Sequence, residues 1–268
     1  MRGLRNIVVL LSLMTLVFGE MGAAALAAAL YTYEVVEVYP HDPKAFTQGL
    51  VIHQGRLYEG TGIYGRSSLR EVDLETGRVV REFNLSPNYF GEGIAILSNR
   101  IYQLTWLEHV GFIYDLDTFE MVGEFHYPTD GWGLTTDGTY LIMSDGSSTL
   151  YFLDSETFDV VRQIEVIDGN ERVRMLNELE YVAGKLYANV WLTDKVVIID
   201  PQSGKVEGWV DFSGLLNPES VTQPVDVLNG IAYDPETEML VVTGKLWPEL
   251  YQVQLVELQF KTPSVIIK

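Results

Sequence analysis

Five positions in this sequence carry polar or aromatic side chains where a purely structural repeat would not need them. They are Gln48, Glu92, Trp132, Asn177 and Asn229. Each stands just before the second residue of a short apolar run, as in Glu92-Gly93-Ile94-Ala95-Ile96 and Asn229-Gly230-Ile231-Ala232-Tyr233. A second set follows at the end of the next apolar stretch: Gly62, Trp106, Asp145, Trp191 and Lys245. Together the two sets offer one glutamate, one aspartate, one ammonium, three indoles and several amides. A carboxylate can move protons, and an ammonium or amide can hold a developing negative charge. Apolar rings with a few converging polar groups make a small-molecule site.

These residues converge only if the chain repeats. The shared second residues lie at 49, 93, 133, 178 and 230, spacings of 44, 40, 45 and 52. That interval suits propeller blades of four short strands. Acidic turns with Thr, Ser or Gly follow several third strands, for example Asp73-Leu74-Glu75-Thr76-Gly77 and Asp200-Pro201-Gln202-Ser203-Gly204. The fifth repeat is short of an outer strand. Tyr31 to Tyr39 has strand character and precedes the first repeat, so it is expected to supply that strand and close the ring. The predicted fold is an all-β, five-bladed β-propeller closed by an N-terminal strand. Its innermost strands start at one mouth of a central channel. Antiparallel pairing brings the ends of the second strands to the same mouth. An open β-sandwich is the alternative, and the regular period argues against it.

The first residues read differently. Arg2 and Arg5 precede an apolar run from Ile7 to Phe18, and Ala25-Leu26-Ala27 fits a signal-peptidase site. Residues 1–27 are expected to be a signal peptide and 28–268 a single catalytic propeller domain. The protein is then secreted or periplasmic, free of the membrane after cleavage, and a monomer. A retained membrane anchor is the other reading of this segment. The formal net charge of −19 would repel a phosphate backbone and speaks against nucleic-acid binding. The chain has no cysteine, which removes disulfides, thiolate catalysis and thiolate metal sites. His41, His53, His109 and His126 show no short ligand spacing, so neither a catalytic metal nor a cofactor is expected.

The same stretches resemble the plant- and bacterial-type glutaminyl cyclases, also called glutamine cyclotransferases. The resemblance runs through Phe46-Thr47-Gln48-Gly49-Leu50, Phe90-Gly91-Glu92-Gly93-Ile94 and Leu104-Thr105-Trp106. It continues in Trp132-Gly133-Leu134, Leu176-Asn177-Glu178, Ala188-Asn189-Val190-Trp191 and Thr243-Gly244-Lys245-Leu246-Trp247-Pro248. It implies a five-bladed propeller acting on peptides or proteins with N-terminal glutamine. The α-amine attacks the side-chain carboxamide, a five-membered lactam forms and ammonia leaves. The resemblance makes Glu92, Asn177 and Lys245 the catalytic residues; by their chemistry Glu92 is expected to carry the proton and the other two to hold the oxyanion. It makes Phe46, Gln48, Trp106, Trp132 and Trp191 the substrate-binding residues, and Phe90, two residues before Glu92, is counted with them. From the residues alone two other readings stay open: a metal-dependent propeller lactonase and a non-enzymatic propeller scaffold.

Overall fold

The computed structural model describes residues 28–259, so the expected signal peptide lies outside the described residues. Every regular element among the described residues is a strand. The described residues open with β1 (Ala29–Pro40). Four consecutive strands then form a meander: β2 (Thr47–His53), β3 (Arg56–Thr61), β4 (Ser68–Asp73) and β5 (Arg78–Asn84). A second meander has β6 (Gly91–Leu97), β7 (Arg100–Thr105), β8 (Val110–Asp115) and β9 (Met121–His126). A third has β10 (Leu134–Thr136), β11 (Tyr140–Ser144), β12 (Thr149–Asp154) and β13 (Val160–Glu165). After a two-stranded ribbon, β14 (Ile167–Asp168) and β15 (Glu171–Arg172), come β16 (Leu176–Val182), β17 (Lys185–Val190), β18 (Lys195–Ile199) and β19 (Val206–Asp211). The last are β20 (Leu228–Asp234), β21 (Met239–Gly244) and β22 (Glu249–Glu257).

β1 pairs antiparallel with β22 from Tyr31 to Pro40. At its start it also pairs parallel with β19, Ala29 opposite Gly208, which joins the last two groups into one eight-stranded sheet. The glycine at 208 is needed there: a Cβ would sit 2.8 Å from the Tyr31 ring.

Packing follows the same order. The first strands of the five groups touch in turn, β2 on β6, β6 on β10, β10 on β16, β16 on β20, and β20 back on β2. Between each pair of neighbours lies an apolar cluster. Leu69 meets Ile94 and Phe112, Ala95 meets Leu134 and Leu153, and Phe152 meets Leu179 and Val197. Val196 meets Ile231 and Val242, and Ala232 meets Leu50 and Leu57. Each sheet therefore buries both faces against its neighbours, which is why third strands such as Val196-Val197-Ile198-Ile199 read as unbroken apolar runs. A buried polar cluster adds to the seam between β3 and the last group: His41 Nε2 meets Glu59 at 2.9 Å, and its Nδ1 meets the Trp247 carbonyl at 2.7 Å.

The first strands come so close that glycine is obligatory at their shared position. A Cβ on Gly93 would strike the backbone of Gly133 and Leu134, and one on Gly133 would strike the Asn177 carbonyl and lie 2.9 Å from Glu178 Cα. Backbone, unlike a flexible side chain, cannot step aside. Gly133→Ala is therefore expected to cost about 3 kcal/mol, the upper end for overpacking a tight interior. Urea unfolding with an unchanged midpoint would refute this.

Only the fourth group breaks the glycine rule. Its residue there is Glu178, which is fully buried. Its carboxylate accepts N–H bonds from Leu50 at 3.1 Å and Ile231 at 2.8 Å. One side chain from β16 thus fills the axis left by the glycines and ties β2 to β20.

Candidate active site

A bulge in the first strand of four groups sets the direction of the site residues. Register slips by one residue between Thr47 and Gly49, Gly91 and Ile94, Leu176 and Leu179, and Leu228 and Ile231. Gln48, Glu92, Asn177 and Asn229 fall inside these slips. A bulge bends the strand and re-aims the extra side chain, here at the end of each sheet. The second set is tied to the same points by backbone bonds. The N–H of Gly62 donates to Phe46, that of Trp106 to Phe90, that of Trp191 to Met175, and that of Lys245 to Val227, at 2.8–2.9 Å. The next residue adopts positive φ at Ile63 (83°), Leu192 (66°) and Leu246 (63°), a conformation that costs free energy for residues with a Cβ.

The result is a cavity of about 180 Å³ lined by Phe46, Gln48, Phe90, Glu92, Trp106, Trp132, Asn177, Trp191, Asp226 and Lys245. All nine residues expected from sequence meet in it. Three members of the sequence-derived rings, Gly62, Asp145 and Asn229, do not line it. Asp145 turns away, accepting the Tyr151 hydroxyl at 2.9 Å and the Ser147 N–H at 2.9 Å. Asn229 stands behind Gln48, donating to its side-chain oxygen at 3.3 Å and to the Thr47 carbonyl at 3.0 Å.

That bond from Asn229 orients the Gln48 amide. Its NH₂ then faces Glu92 and donates to Oε1 at 3.0 Å. Gln48 therefore serves Glu92 first, beyond the substrate contact expected of it. Glu92 is only 5% exposed. Burial pushes its carboxyl well above the usual range; Lys245 opposes this and Glu108 adds to it. Lys245 is 4% exposed and its ammonium lies 4.9 Å over the Phe46 ring. Burial lowers its pKa, against the pull of Glu92 and Asp226. A buried acid raised and a buried base lowered are a combination suited to proton transfer near neutral pH.

Aromatic rings form the walls. Phe90 meets Phe46, Tyr64 and Trp106 edge-on at 6.2, 5.4 and 5.6 Å, and Trp132 meets Trp191 at 5.5 Å and 90°. Two polar atoms in these walls are buried without a partner, Asn177 Oδ1 and Trp132 Nε1. Unpaired buried groups cost free energy, and a polar ligand in the cavity would satisfy them.

Sequence reasoning missed Asp226 and the buried acids below the pocket. Asp226 lies in the longest interval between repeats, where the spacing of 52 signals an insertion. Glu178 was visible as the one non-glycine at its repeat position. Glu180, two residues on, is pushed up to about 7 by burial, while its oxygens accept from the Tyr233 N–H and the Thr135 hydroxyl.

Strand ends that converge on an aromatic-walled cavity with a buried acid, a buried base and oriented amides define a small-molecule site in an all-β protein. The chain belongs to the glutamine cyclotransferase family, whose model matches residues 8–255. It is 47% identical over 240 residues to the glutaminyl-peptide cyclotransferase of Arabidopsis thaliana, covering 87% of this chain and 74% of that one. Among solved structures it resembles the glutaminyl cyclase of Myxococcus xanthus, with a TM-score of 0.81 and 36% identity over 87% of this chain and all of the other.

Proposed function

We propose that this protein is a glutaminyl-peptide cyclotransferase that converts N-terminal glutamine of peptides or proteins to pyroglutamate and releases ammonia. The observation that carries it is the buried Glu92 sharing one cavity with Lys245 and Asn177, in a member of this family. The fold is read as a five-bladed propeller with β1 as the outer strand of the fifth blade. The ring of first-strand contacts and the β1–β22 ladder support that reading. Residues 1–27 are read as an export signal for a secreted or periplasmic monomer. The mass of the exported chain and its N-terminal residue would test this.

In the reaction the substrate's α-nitrogen bonds to its own carboxamide carbon, and the carbonyl π electrons move onto oxygen. Glu92 takes a proton from the attacking nitrogen. Lys245 and the Asn177 amide stabilise the oxyanion, a role for which one donor contributes about 3 kcal/mol. When the carbonyl re-forms, the C–NH₂ bond breaks and Glu92 returns the proton to the departing nitrogen, giving ammonia. Trp106, Trp132 and Trp191 exclude water and hold glutamine folded, so that amine and carboxamide meet. Gln48, fixed by Asn229, keeps the Glu92 carboxylate aimed.

Incubation with a Gln-initiated peptide, chelator present, should yield ammonia and a blocked N-terminus; conversion no faster than the spontaneous rate would reject the proposal. Chelator-sensitive turnover would favour the lactonase-like alternative. The pH dependence of kcat/KM should be bell-shaped. Its acid limb reports Glu92, active once ionised, and lies above the usual carboxylate range. Its alkaline limb reports loss of the proton from Lys245, below the usual lysine range. Glu108→Gln should move the acid limb down, because the Glu108 charge raises Glu92.

A further inference from the structure

The cavity has room for about one amino-acid residue, so whatever follows the glutamine must leave through its mouth. Among the lining residues Asp226 alone is exposed; the carboxylate, ammonium and amides beneath it are buried. Asp226 is also rigidly held. Its N–H donates to the Lys245 carbonyl at 2.9 Å, its carbonyl accepts the Trp247 indole N–H at 2.9 Å, and its Oδ1 accepts the Val227 N–H at 2.7 Å. Oδ2 has no protein hydrogen bond among the described residues, and no ion pair involves Asp226.

A second carboxylate lies close to the cavity, near enough to raise Glu92. Glu108 follows Trp106 by two residues, its Oε1 held by the Tyr64 hydroxyl at 2.8 Å, and it too has no cationic partner among the described residues. Among the lining residues Lys245 is the one cation, and its charge is buried beneath the rim and felt by both Glu92 and Asp226. The unpartnered Asn177 Oδ1 and Trp132 Nε1 independently mark this cavity as a ligand site. Resting on the function proposed above, we propose that Asp226 is a specificity residue that favours a cationic side chain directly after the N-terminal glutamine and disfavours an anionic one.

An exposed charge pair of this kind shifts an equilibrium by about two- to fivefold, and a like-charge pair shifts it by a similar factor the other way. The ratio of kcat/KM for Gln-Lys-Ala over Gln-Glu-Ala should therefore be about tenfold at low ionic strength. It should shrink in 0.5 M salt, because an exposed pair is screened within about 4 Å there. The difference should lie in KM, since the rim binds ground state and transition state alike.

The test measures ammonia release from Gln-Ala-Ala, Gln-Lys-Ala and Gln-Glu-Ala with the parent protein, Asp226→Asn and Asp226→Lys. Comparing peptides within one variant cancels any general loss of activity or folding. The expected result is a Lys-over-Glu ratio near ten in the parent, near one to three in Asp226→Asn, and inverted in Asp226→Lys. If Gln-Ala-Ala is cyclised but the parent does not discriminate, or Asp226→Asn keeps the parent ratio, the specificity proposal fails alone. If no peptide is cyclised, the proposed function fails with it.

Discussion

Glu92→Gln should lower kcat for ammonia release by roughly 10³-fold, within the range contributed by a positioned general acid–base. The substitution keeps shape and the Gln48 contact: the new amide oxygen can still accept from Gln48 Nε2, as Glu92 Oε1 does at 3.0 Å. It removes the ability to take a proton from the α-amine and return one to the leaving nitrogen. It also strips Lys245 of the negative charge that counters its burial. The alkaline limb of the residual activity should therefore move to lower pH, a change that simple misfolding would not produce. Far-UV circular dichroism should match the parent, because Glu92 sits above the apolar clusters rather than in them. Turnover within tenfold of the parent would remove Glu92 from the mechanism.

Much of this site could be read in the sequence because repetition turns a residue type into a position. Glu92 by itself is one acid among many. As the single acid among Gln48, Glu92, Trp132, Asn177 and Asn229 it becomes a candidate, and the bulges at four of these points are the physical reason they converge. The strand pattern of Tyr31 to Tyr39 likewise matched β1, and its missing partner in the last repeat pointed to β22. The parallel contact between β1 and β19 was not legible. It spans three residues, Ala29 to Tyr31, too few for an alternation of burial to show.

Other features depend on through-space geometry that no period encodes. The repeat placed Asp145 beside Trp106 and Trp191, but its carboxylate is spent on Tyr151 and on its own turn. Asp226 lies outside any strand and reaches the cavity only through its backbone bond to Lys245. Glu178 belongs to the same motif as Asn177, yet its role follows from what surrounds it. Where Gly49, Gly93 and Gly133 leave no space for a Cβ, one longer side chain fills the axis and meets two N–H groups that would otherwise be unpaired. Three carboxylates are thus buried: Glu92 in the cavity, and Glu178 and Glu180 on β16, outside its lining.

Those carboxylates should make the protein most stable near about pH 4 to 5, with thermal stability falling as pH rises to 8. Glu92 and Glu178 are raised well above the usual value by burial, and Glu180 to about 7. A folded-state pKa above the unfolded one means that folding favours the protonated form. The associated stability is complete below about 4.5 and is lost as pH climbs through the folded value. For Glu180 alone this window runs from 4.5 to about 7 and amounts to roughly 3 kcal/mol. His41, raised mainly by Glu59 against its burial, acts in the same direction above pH 6.5. Self-repulsion at a formal net charge of −19 does so as well. The opposing groups are Glu59 and the turn aspartates Asp73, Asp115, Asp154, Asp200 and Asp211, all lowered by ion-pair or hydrogen-bond partners. Their stability is present above their unfolded values and is lost only on further acidification, so they set the lower edge of the optimum near pH 4. Glu180→Gln isolates one contribution: the amide oxygen can accept from Tyr233 N–H while its NH₂ donates to the Thr135 hydroxyl, replacing both contacts without a charge. Calorimetry from pH 5 to pH 8 should show a falling Tm in the parent and a shallower fall in Glu180→Gln. Equal slopes would mean that Glu180 is already ionised in the folded protein at pH 5, and that its burial is compensated by the two hydrogen bonds it accepts.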